Sequence, residues 1–374
     1  MKKFISFSRF LVGLLFIFSG LIKANDPLGL SYKMQEFFEA WHTPWLNQFS
    51  LASSIGMNII EVVAGVAIII GWNSKLFSRL LFLLITFFTF LTSYVLFSGK
   101  ITACGCFGDC LPLTPIQTFS KDLILFVLII FLLLSYKEIK PLFNNKISIL
   151  IVFISLVFTS LFQWFVLKNL PVLDCLPYKQ NNNILQQMQS PPNSKPDSVI
   201  MYFNYIKDGK KIKIDASNFP DDFDSTYVQV GDEEKVIIRK GNNTPKIADF
   251  TLYKLYENKN LADSILGLNE NYVLVFVKKF PEVPVDISNF LNWKVIENLQ
   301  QQSIPIFIVT SDVATARKIY LKNIDILKLD ATVLKTAARV NPTYFLMNGA
   351  TILQKVSGNN ADLIIKYLLK NNKS

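Results

Sequence analysis

Three of the four cysteines in this 374-residue chain, Cys104, Cys106 and Cys110, lie within one short loop. The fourth, Cys175, follows the last long apolar segment. Two thiols that approach one another can cycle between a dithiol and a disulfide, and the thiolate is the reacting form. The chemistry of this loop depends on the side of the membrane that it faces, because disulfides persist in oxidising compartments.

Three interpretations of these cysteines are open. Cys104 and Cys106 can form an exchange pair, because Gly105 allows a tight turn and a bridge between residues two apart closes a small, labile ring. Cys110 and Cys175 would then be a second pair or resolving thiols. Alternatively, two disulfides only hold the loop in place. A metal site of four thiolates is the third interpretation, although the spacing differs from that of a zinc ribbon.

The compartment also predicts which cysteines meet. An unpaired thiol is a liability where disulfides form. We therefore expect Cys175 to approach the loop and to pair with Cys110, which leaves Cys104 and Cys106 to each other.

Glu61, a carboxylate within an apolar segment, is a further candidate for chemistry. Such residues are costly in hydrocarbon and indicate a function unless they are paired. We expect either an ion pair with Arg9 or Arg79, or a role in proton handling. His42 is the single histidine, which argues against a site built from several histidines.

Five apolar segments surround these residues, and each can cross about 30 Å of hydrocarbon as a helix. They cover residues 4–22, 54–72, 80–99, 119–136 and 147–167. No small-x-small cleavage motif follows the first segment, so we expect it to be retained as a helix. The net charge of +10 includes no dense basic block of the kind that binds nucleic acid. The expected partner is therefore the lipid bilayer and no nucleic acid.

Lysine and arginine in the short connections predict the orientation, because they favour the cytoplasmic side. Lys75 and Arg79 follow the second segment and further lysines follow the fourth, whereas the loop 98–121 carries only Lys100 and Lys121. We expect a multi-pass protein of a bacterial inner membrane with a cytoplasmic amino terminus. The carboxyl-terminal domain and all four cysteines would then be periplasmic.

No cofactor is evident from the sequence. An exchange pair at the membrane nevertheless needs an electron acceptor, and a quinone in the bilayer is a plausible one. Phe107 and neighbouring aromatic residues would line its approach to the loop.

Residues 171–240 predict a linker and a small β element, with polar and proline-bearing sequence first and alternating runs later. Asp208-Gly209 is the turn signal between the first two runs. Strands and helices alternate over residues 241–374, which predicts an α/β domain with a sheet covered on both faces. The expected strands are 250–256, 272–278, 304–310, 343–347 and 351–356. The expected helices are 286–302, 312–322, 331–339 and 360–370.

This region resembles the thioredoxin fold, with Asn341-Pro342 before a final hairpin that turns at Asn348-Gly349. The resemblance implies that Pro342 is cis and begins a strand beside the end of strand 272–278. The redox Cys-x-x-Cys is missing, because Lys279-Phe280-Pro281-Glu282 stands in its place. We therefore expect a redox-silent domain that docks a client or partner.

The membrane half resembles the DoxX/MauE family. The residues that carry this resemblance are Arg9 and the run 18–23 in the first segment, Glu61 and Gly65 in the second, and the Cys-Gly-Cys-Phe-Gly loop. It implies a four-helix membrane domain over residues 1–140, followed here by a fifth helix at 147–168. It also implies support for disulfide formation in a periplasmic partner.

Together these features predict a membrane all-α bundle followed by an α/β thioredoxin-like domain. We expect an inner-membrane thiol–disulfide redox or maturation component that acts on a periplasmic client through Cys104 and Cys106. Enzymatic activity is an open question, because the cysteines of a non-enzymatic assembly factor would be purely structural. A small-molecule carrier that uses Glu61 is a further alternative.

The orientation can be tested with alkaline phosphatase, which is active only outside the cytoplasm. We expect a fusion after residue 170 to be active and a fusion near Lys140 to be inactive, because an odd number of helices separates the amino terminus from residue 170. Activity of the fusion at Lys140 would contradict both the helix count and the periplasmic placement of the cysteines.

Overall fold

The computed structural model describes most of the chain. The described residues are 2–101, 104–195, 198–220, 222–231, 234–239, 241, 243–257, 259–281, 287–319, 321 and 324–371. Residues 182–251 form one compact unit, and residues 1–181 together with 252–374 form another.

Among the described residues, five helices are long and apolar enough to cross a membrane, as predicted. They are α1 (Lys2–Asn25), α3 (Ser50–Ile70), α4 (Ser74–Ser98), α5 (Pro115–Leu134) and α6 (Asn145–Asn169). Positive-φ residues end α3 and α4, where Gly71 has φ +73° and Gly99 has φ +63°. The predicted segments are thus confirmed as helices, with ends shifted by several residues.

The connection between the first two membrane-spanning helices, α1 and α3, is itself largely helical. It contains α2 (Pro27–Ala40) and a 3₁₀-helix (Pro44–Phe49). The Asp26 side chain accepts a hydrogen bond from the Gly29 backbone N–H and caps α2, which begins with Pro27 at its first position. The polar residues of α2 lower its hydropathy, so a hydropathy pattern does not identify it, although its residue Phe37 is buried.

Helices α1 and α3 pack at very short range. A Cβ atom on Gly65 would lie 2.7 Å from the Gly13 carbonyl oxygen, and one on Gly13 would lie 2.6 Å from the Gly65 carbonyl oxygen. Small residues allow helix backbones in membranes to approach in this way. The two glycines therefore allow α1 to pack closely against α3, the helix that contains Glu61.

The unit of residues 182–251 contains a short helix and a four-stranded antiparallel sheet in which β1 is the central strand. Its elements are α7 (Ile184–Gln187), β1 (Ser198–Lys207), β2 (Lys210–Asp215), β3 (Val228–Gln229) and β4 (Glu234–Arg239). The predicted turn at Asp208-Gly209 joins β1 to β2, and both residues have positive φ.

The carboxyl-terminal region is built on a mixed six-stranded sheet with the order β10-β9-β6-β7-β8-β5. The strands are β5 (Tyr253–Lys254), β6 (Asn271–Val277), β7 (Ile306–Thr310), β8 (Asp325–Lys328), β9 (Thr343–Asn348) and β10 (Thr351–Ser357). Strands β6, β7 and β8 are mutually parallel, and the other neighbours pair antiparallel. The buried run of β6 explains why its sequence is continuously apolar.

Six helices accompany this sheet among the described residues. They are α8 (Ala262–Leu266), α9 (Ile287–Phe290), α10 (Trp293–Gln301), α11 (Val313–Ala316), α12 (Ala331–Ala337) and α13 (Asp362–Asn371). The apolar faces of α10 and α13 pack on one side of the sheet through Ile296 and Ile364.

Several predicted elements differ in the structure. The helix predicted at 286–302 is divided by Asn292, which has φ +46°, and its residue 286 lies outside the described residues. The helix predicted at 312–322 is only Val313–Ala316, and residues 320 and 322 lie outside the described part. Strand β8 was not predicted, because four residues of mixed burial give little periodicity. The Asn341–Pro342 peptide bond is cis, as predicted, and β9 begins beside the end of β6.

The close contact of α1 and α3 predicts that alanine substitutions at two glycines of α3 differ in their effect on stability. Gly65→Ala should destabilise the protein by about 1–3 kcal/mol, because the new methyl group meets backbone atoms that cannot move aside. Gly56→Ala is the matched control, since nothing lies within 4 Å of its Cβ position. Thermal unfolding in detergent measures both, and equal midpoints for the two variants would contradict the packing.

Candidate thiol site

Cys104 and Cys106 form a buried thiol pair at the ends of the membrane helices. Their sulfur atoms lie 3.2 Å apart, and each residue is 8% exposed. Gly105 between them has φ +75°, a conformation that L side chains rarely adopt. The Gly108 N–H donates to the Gly105 carbonyl oxygen at 2.9 Å and closes the turn. The geometry allows the two sulfurs to form a bond or to separate as thiols.

Cys110 and Cys175 form a disulfide with Cα atoms 4.9 Å apart, as predicted. Cys175 is exposed, in contrast to the buried pair. The segment before it is held in two places. Asn25 at the end of α1 exchanges two hydrogen bonds with the Leu173 backbone, and Lys355 pairs with Asp174 at 2.6 Å.

The two buried thiols have different acidities. The hydrogen bond between the sulfurs lowers the pKa of Cys106, against the effect of burial, and the charge of Lys121 lowers it further. The same hydrogen bond and burial raise the pKa of Cys104 well above its ordinary value. Cys106 is therefore the more acidic thiol of the pair.

Glu61 is fully buried and pairs with Lys23, so the predicted ion pair with Arg9 is wrong. Arg9 instead donates to the Lys140 carbonyl oxygen at 2.9 Å. Arg9 and Lys23 are fourteen residues apart on α1, a distance of about 21 Å along the helix. Of these two cations, only Lys23 is thus at the level of Glu61. Lys23 lies beyond the predicted apolar segment 4–22, and it is helical because α1 continues to Asn25.

Ser19 connects this ion pair to the thiol loop. Its hydroxyl lies 3.1 Å from Glu61 Oε2 and 2.9 Å from the Cys106 carbonyl oxygen. One hydroxyl hydrogen can serve only one of these acceptors at a time. The loop, the serine and the buried carboxylate are therefore neighbours, although the sequence separates them widely.

Two lysines approach the thiols over aromatic rings. Lys121 Nζ lies 4.4 Å from the centre of the Phe107 ring and pairs with Asp122 at 2.8 Å. Lys23 Nζ lies 4.6 Å from the centre of the Phe88 ring. The sequence had indicated Lys121 as a cation near the loop, whereas Lys23 as a neighbour of the thiols was missed.

A cavity of ≈230 Å³ opens beside the thiol pair. Aromatic, aliphatic and thioether side chains form most of its wall. The lining residues include Cys104, Cys106, Lys23, Lys33, Phe37, Phe38, Trp41, Met57, Phe87, Phe88 and Leu91. Phe107 was expected on this approach, but it faces a much smaller space together with Glu61 and Lys121.

The carboxyl-terminal region contacts the thiol loop through Arg339. This residue is 6% exposed, and its guanidinium pairs with Asp26 at 2.7 Å and with Asp109 at 3.0 Å. Asp26 caps α2, and Asp109 belongs to the loop between Cys106 and Cys110. A single buried cation therefore ties the cis-proline edge of the sheet to the cysteine loop.

The end of β6 also lies near this contact. Lys278 follows β6, and its ammonium group donates to the Arg339 carbonyl oxygen at 2.6 Å. Burial, together with the charge of Arg339, lowers the pKa of Lys278 to about 8. The chain has no cysteine beyond Cys175, so this edge supplies charge and contacts but no thiol.

The remaining candidates do not join the site. His42 is exposed in the connection between α2 and the 3₁₀-helix. In the part of the chain that the structure describes, no group of three His, Cys, Asp or Glu residues could hold a metal ion. The side chains that sequence reasoning missed are cations, Lys23 and Arg339, whose partners lie far away in the sequence.

Comparison with known proteins places this site within a family domain. Residues 1–135 match the family described as methylamine utilisation protein MauE. Over 134 residues the chain is 29% identical to Protein TlpB of Flavobacterium psychrophilum, a match that covers 33% of this chain and 35% of TlpB. The chain thus matches about a third of the length of this relative. No solved structure matches it. A MauE family domain therefore contains Glu61 and the loop of three cysteines.

The lowered pKa of Cys106 predicts the pH dependence of its alkylation. In a Cys104→Ser variant, which loses the hydrogen bond between the sulfurs, the charge of Lys121 should still lower the pH midpoint at which a small maleimide alkylates Cys106, with Cys110 and Cys175 in their disulfide. Lys121→Met should move the midpoint upward, and Lys121→Arg should restore it. Lys100→Met, at an exposed cation of the same loop, is the control and should have no effect. An unchanged midpoint in Lys121→Met would contradict the role of this charge.

Proposed function

We propose that this protein is a membrane thiol–disulfide redox component that promotes disulfide formation in an extracytoplasmic client. The observation that carries the proposal is the arrangement of the four cysteines. A buried thiol pair lies in the same loop as one end of an exposed disulfide. The MauE family domain over residues 1–135 supports a role in redox-related maturation at the membrane.

The two pairs would act in sequence. A client thiolate attacks the exposed Cys175 sulfur and releases Cys110, and the second client thiolate then releases Cys175. The client thereby gains a disulfide, and Cys110 and Cys175 gain two electrons and two protons. Exchange with a disulfide between Cys104 and Cys106 passes these electrons and protons inward. The structure corresponds to the state in which the outer pair is oxidised and the inner pair reduced.

The inner pair needs an acceptor of two electrons, and we propose a quinone of the lipid bilayer. Two thiols and one quinone would yield one disulfide and one hydroquinone, so that atoms and electrons balance. The burial of Cys104 and Cys106 beside the helix ends supports an acceptor that arrives from the membrane. The proposed location is a bacterial inner membrane, with a cytoplasmic amino terminus and periplasmic cysteines.

We further propose that the carboxyl-terminal region is a thioredoxin-like docking domain without redox activity. Support comes from the central strands β9, β6, β7 and β8 and from the cis-proline at the start of β9. Arg339 beside this proline already binds Asp26 and Asp109 of the same chain. The edge of the sheet next to Arg339 would thus contact the cysteine loop. A client would approach the exposed Cys175 beside this edge.

The main alternative is an assembly factor with structural cysteines. The Cys110–Cys175 disulfide favours it, because this bond joins the loop to the segment after α6 whether or not it is ever reduced. A carrier function for Glu61 has less support, since Lys23 neutralises its charge. The two remaining interpretations differ in whether the redox states of the cysteines change.

Thiol trapping in intact cells distinguishes these interpretations. In the wild type, we expect Cys104 and Cys106 to be partly reduced. A Cys110→Ser/Cys175→Ser variant should accumulate the Cys104–Cys106 disulfide, because electrons no longer reach the inner pair. A Cys110→Ser variant should retain clients as mixed disulfides, because the Cys175 thiolate can attack a client disulfide and no Cys110 thiol remains to resolve the product. The matched control Ser6→Ala, at an exposed position of α1, should leave all states unchanged. An inner pair whose redox state is the same with and without the outer pair would overturn the proposal.

A further inference from the structure

We propose that the cavity beside Cys104 and Cys106 binds the ring of a lipid-soluble quinone, with Lys23 as hydrogen-bond donor to a ring oxygen. The direction of electron flow through this site rests on the proposed function. The binding site itself is carried by the shape, the lining and the opening of the cavity.

The size and the wall of the cavity suit one flat aromatic ring. Its ≈230 Å³ is below the roughly 300–1,000 Å³ that is typical of pockets for drug-sized ligands. Phe37, Trp41 and Phe88 present aromatic surfaces, and Met57 adds a polarisable thioether. A ring that lies among these side chains would be in contact with both sulfurs, since Cys104 and Cys106 form part of the same wall.

One of the polar groups that line the cavity, beside Lys33 and Ser53, is a buried cation. Lys23 is 2% exposed and is balanced by Glu61, which allows a charge to persist in this apolar bundle. An ammonium group has three donor hydrogens and no acceptor, so it can donate to Glu61 and to a ligand oxygen together. Reduction places negative charge on the quinone oxygens, and a preorganised cation stabilises such charge as it develops.

The cavity opens towards the lipid. Phe87, halfway along the membrane helix α4, is 39% exposed and contributes to the lining. Ser53 near the start of α3 is also exposed and belongs to the lining. A ligand can thus enter between α3 and α4 from the bilayer, which fits a quinone whose isoprenoid tail stays in the hydrocarbon.

The reaction in this cavity balances without another reactant. Counted from the dithiol, Cys104 and Cys106 together lose two electrons and two protons and form one S–S bond. The quinone takes up both electrons and the two protons of the dithiol and leaves as hydroquinone. Lys23 positions the ring oxygen through a hydrogen bond and keeps its own proton at the end of the cycle, so it acts as a binding residue.

Fluorescence quenching tests the site on the purified full-length protein in detergent. The background is Cys104→Ser/Cys106→Ser, which separates binding from turnover, and the probes are decylubiquinone and menadione. Either quinone should quench tryptophan emission saturably, and Trp41→Phe should remove most of the quenching. Quenching that is the same without Trp41 would place the quinone elsewhere and overturn the inference.

Cavity-filling variants provide the matched comparison. Leu91→Phe places a larger side chain into the lining and should weaken binding about tenfold, which corresponds to about 1.4 kcal/mol. Leu83→Phe on the same helix is the control, because Leu83 is 65% exposed and outside the lining, and it should bind as the parent does. Lys23→Met combined with Glu61→Gln removes the donor without leaving an unpaired charge and should also weaken binding. Equal affinities in Leu91→Phe and Leu83→Phe would contradict the site.

The outcome also separates this inference from the proposed function. If the cysteines cycle in cells but no quinone binds in this cavity, the thiol function stands and the site is wrong. If quinone binds here but the redox states of the cysteines never change, the site stands and the relay is wrong.

Discussion

The buried ion pair between Lys23 and Glu61 determines how the membrane half is arranged. A charge in hydrocarbon must be paired, so the end of α1 and the middle of α3 have to meet at one level. The close contact between Gly13 and Gly65 brings the two helices near enough for this pairing. Ser19, one turn before Lys23, then lies within hydrogen-bond distance of the Cys106 carbonyl group. The position of the thiol loop therefore follows from the pairing of two charges in the bundle.

The cysteine loop is fastened by groups from three parts of the chain. The disulfide joins it to the segment after α6, Ser19 contacts its backbone from α1, and Arg339 binds Asp109 from the carboxyl-terminal region. The thiol–disulfide exchange proposed for these cysteines needs sulfurs held at short range, because exchange requires direct contact. These attachments keep the inner pair buried while the outer disulfide stays accessible.

The carboxyl-terminal region combines a sheet that positions groups precisely with a complete lack of thiols. Its cis-proline edge contacts the membrane domain through Arg339, and Lys355 on β10 holds the segment that precedes Cys175. The folding of this region and the placement of the outer disulfide are thus linked. A buried arginine between two carboxylates is costly to separate, since each charge would lose its partner.

The sequence by itself determined the parts that depend on local pattern. Hydropathy identified the five spanning helices, and the turn at Asp208-Gly209 and the strand β6 followed from local signals. The cis-proline before β9 was implied by the resemblance to the thioredoxin fold. The pairing of Cys175 with Cys110 followed from the compartment and the topology. Only the tertiary structure decided that Lys23 rather than Arg9 neutralises Glu61, that Arg339 reaches Asp109, and that a cavity adjoins the inner thiols. Such contacts depend on the axial level and rotation of helices and on where a helix ends, and these decide whether Glu61 meets Lys23 or Arg9. A hydropathy pattern contains none of this information, because it indicates which residues are apolar and not which residues they contact.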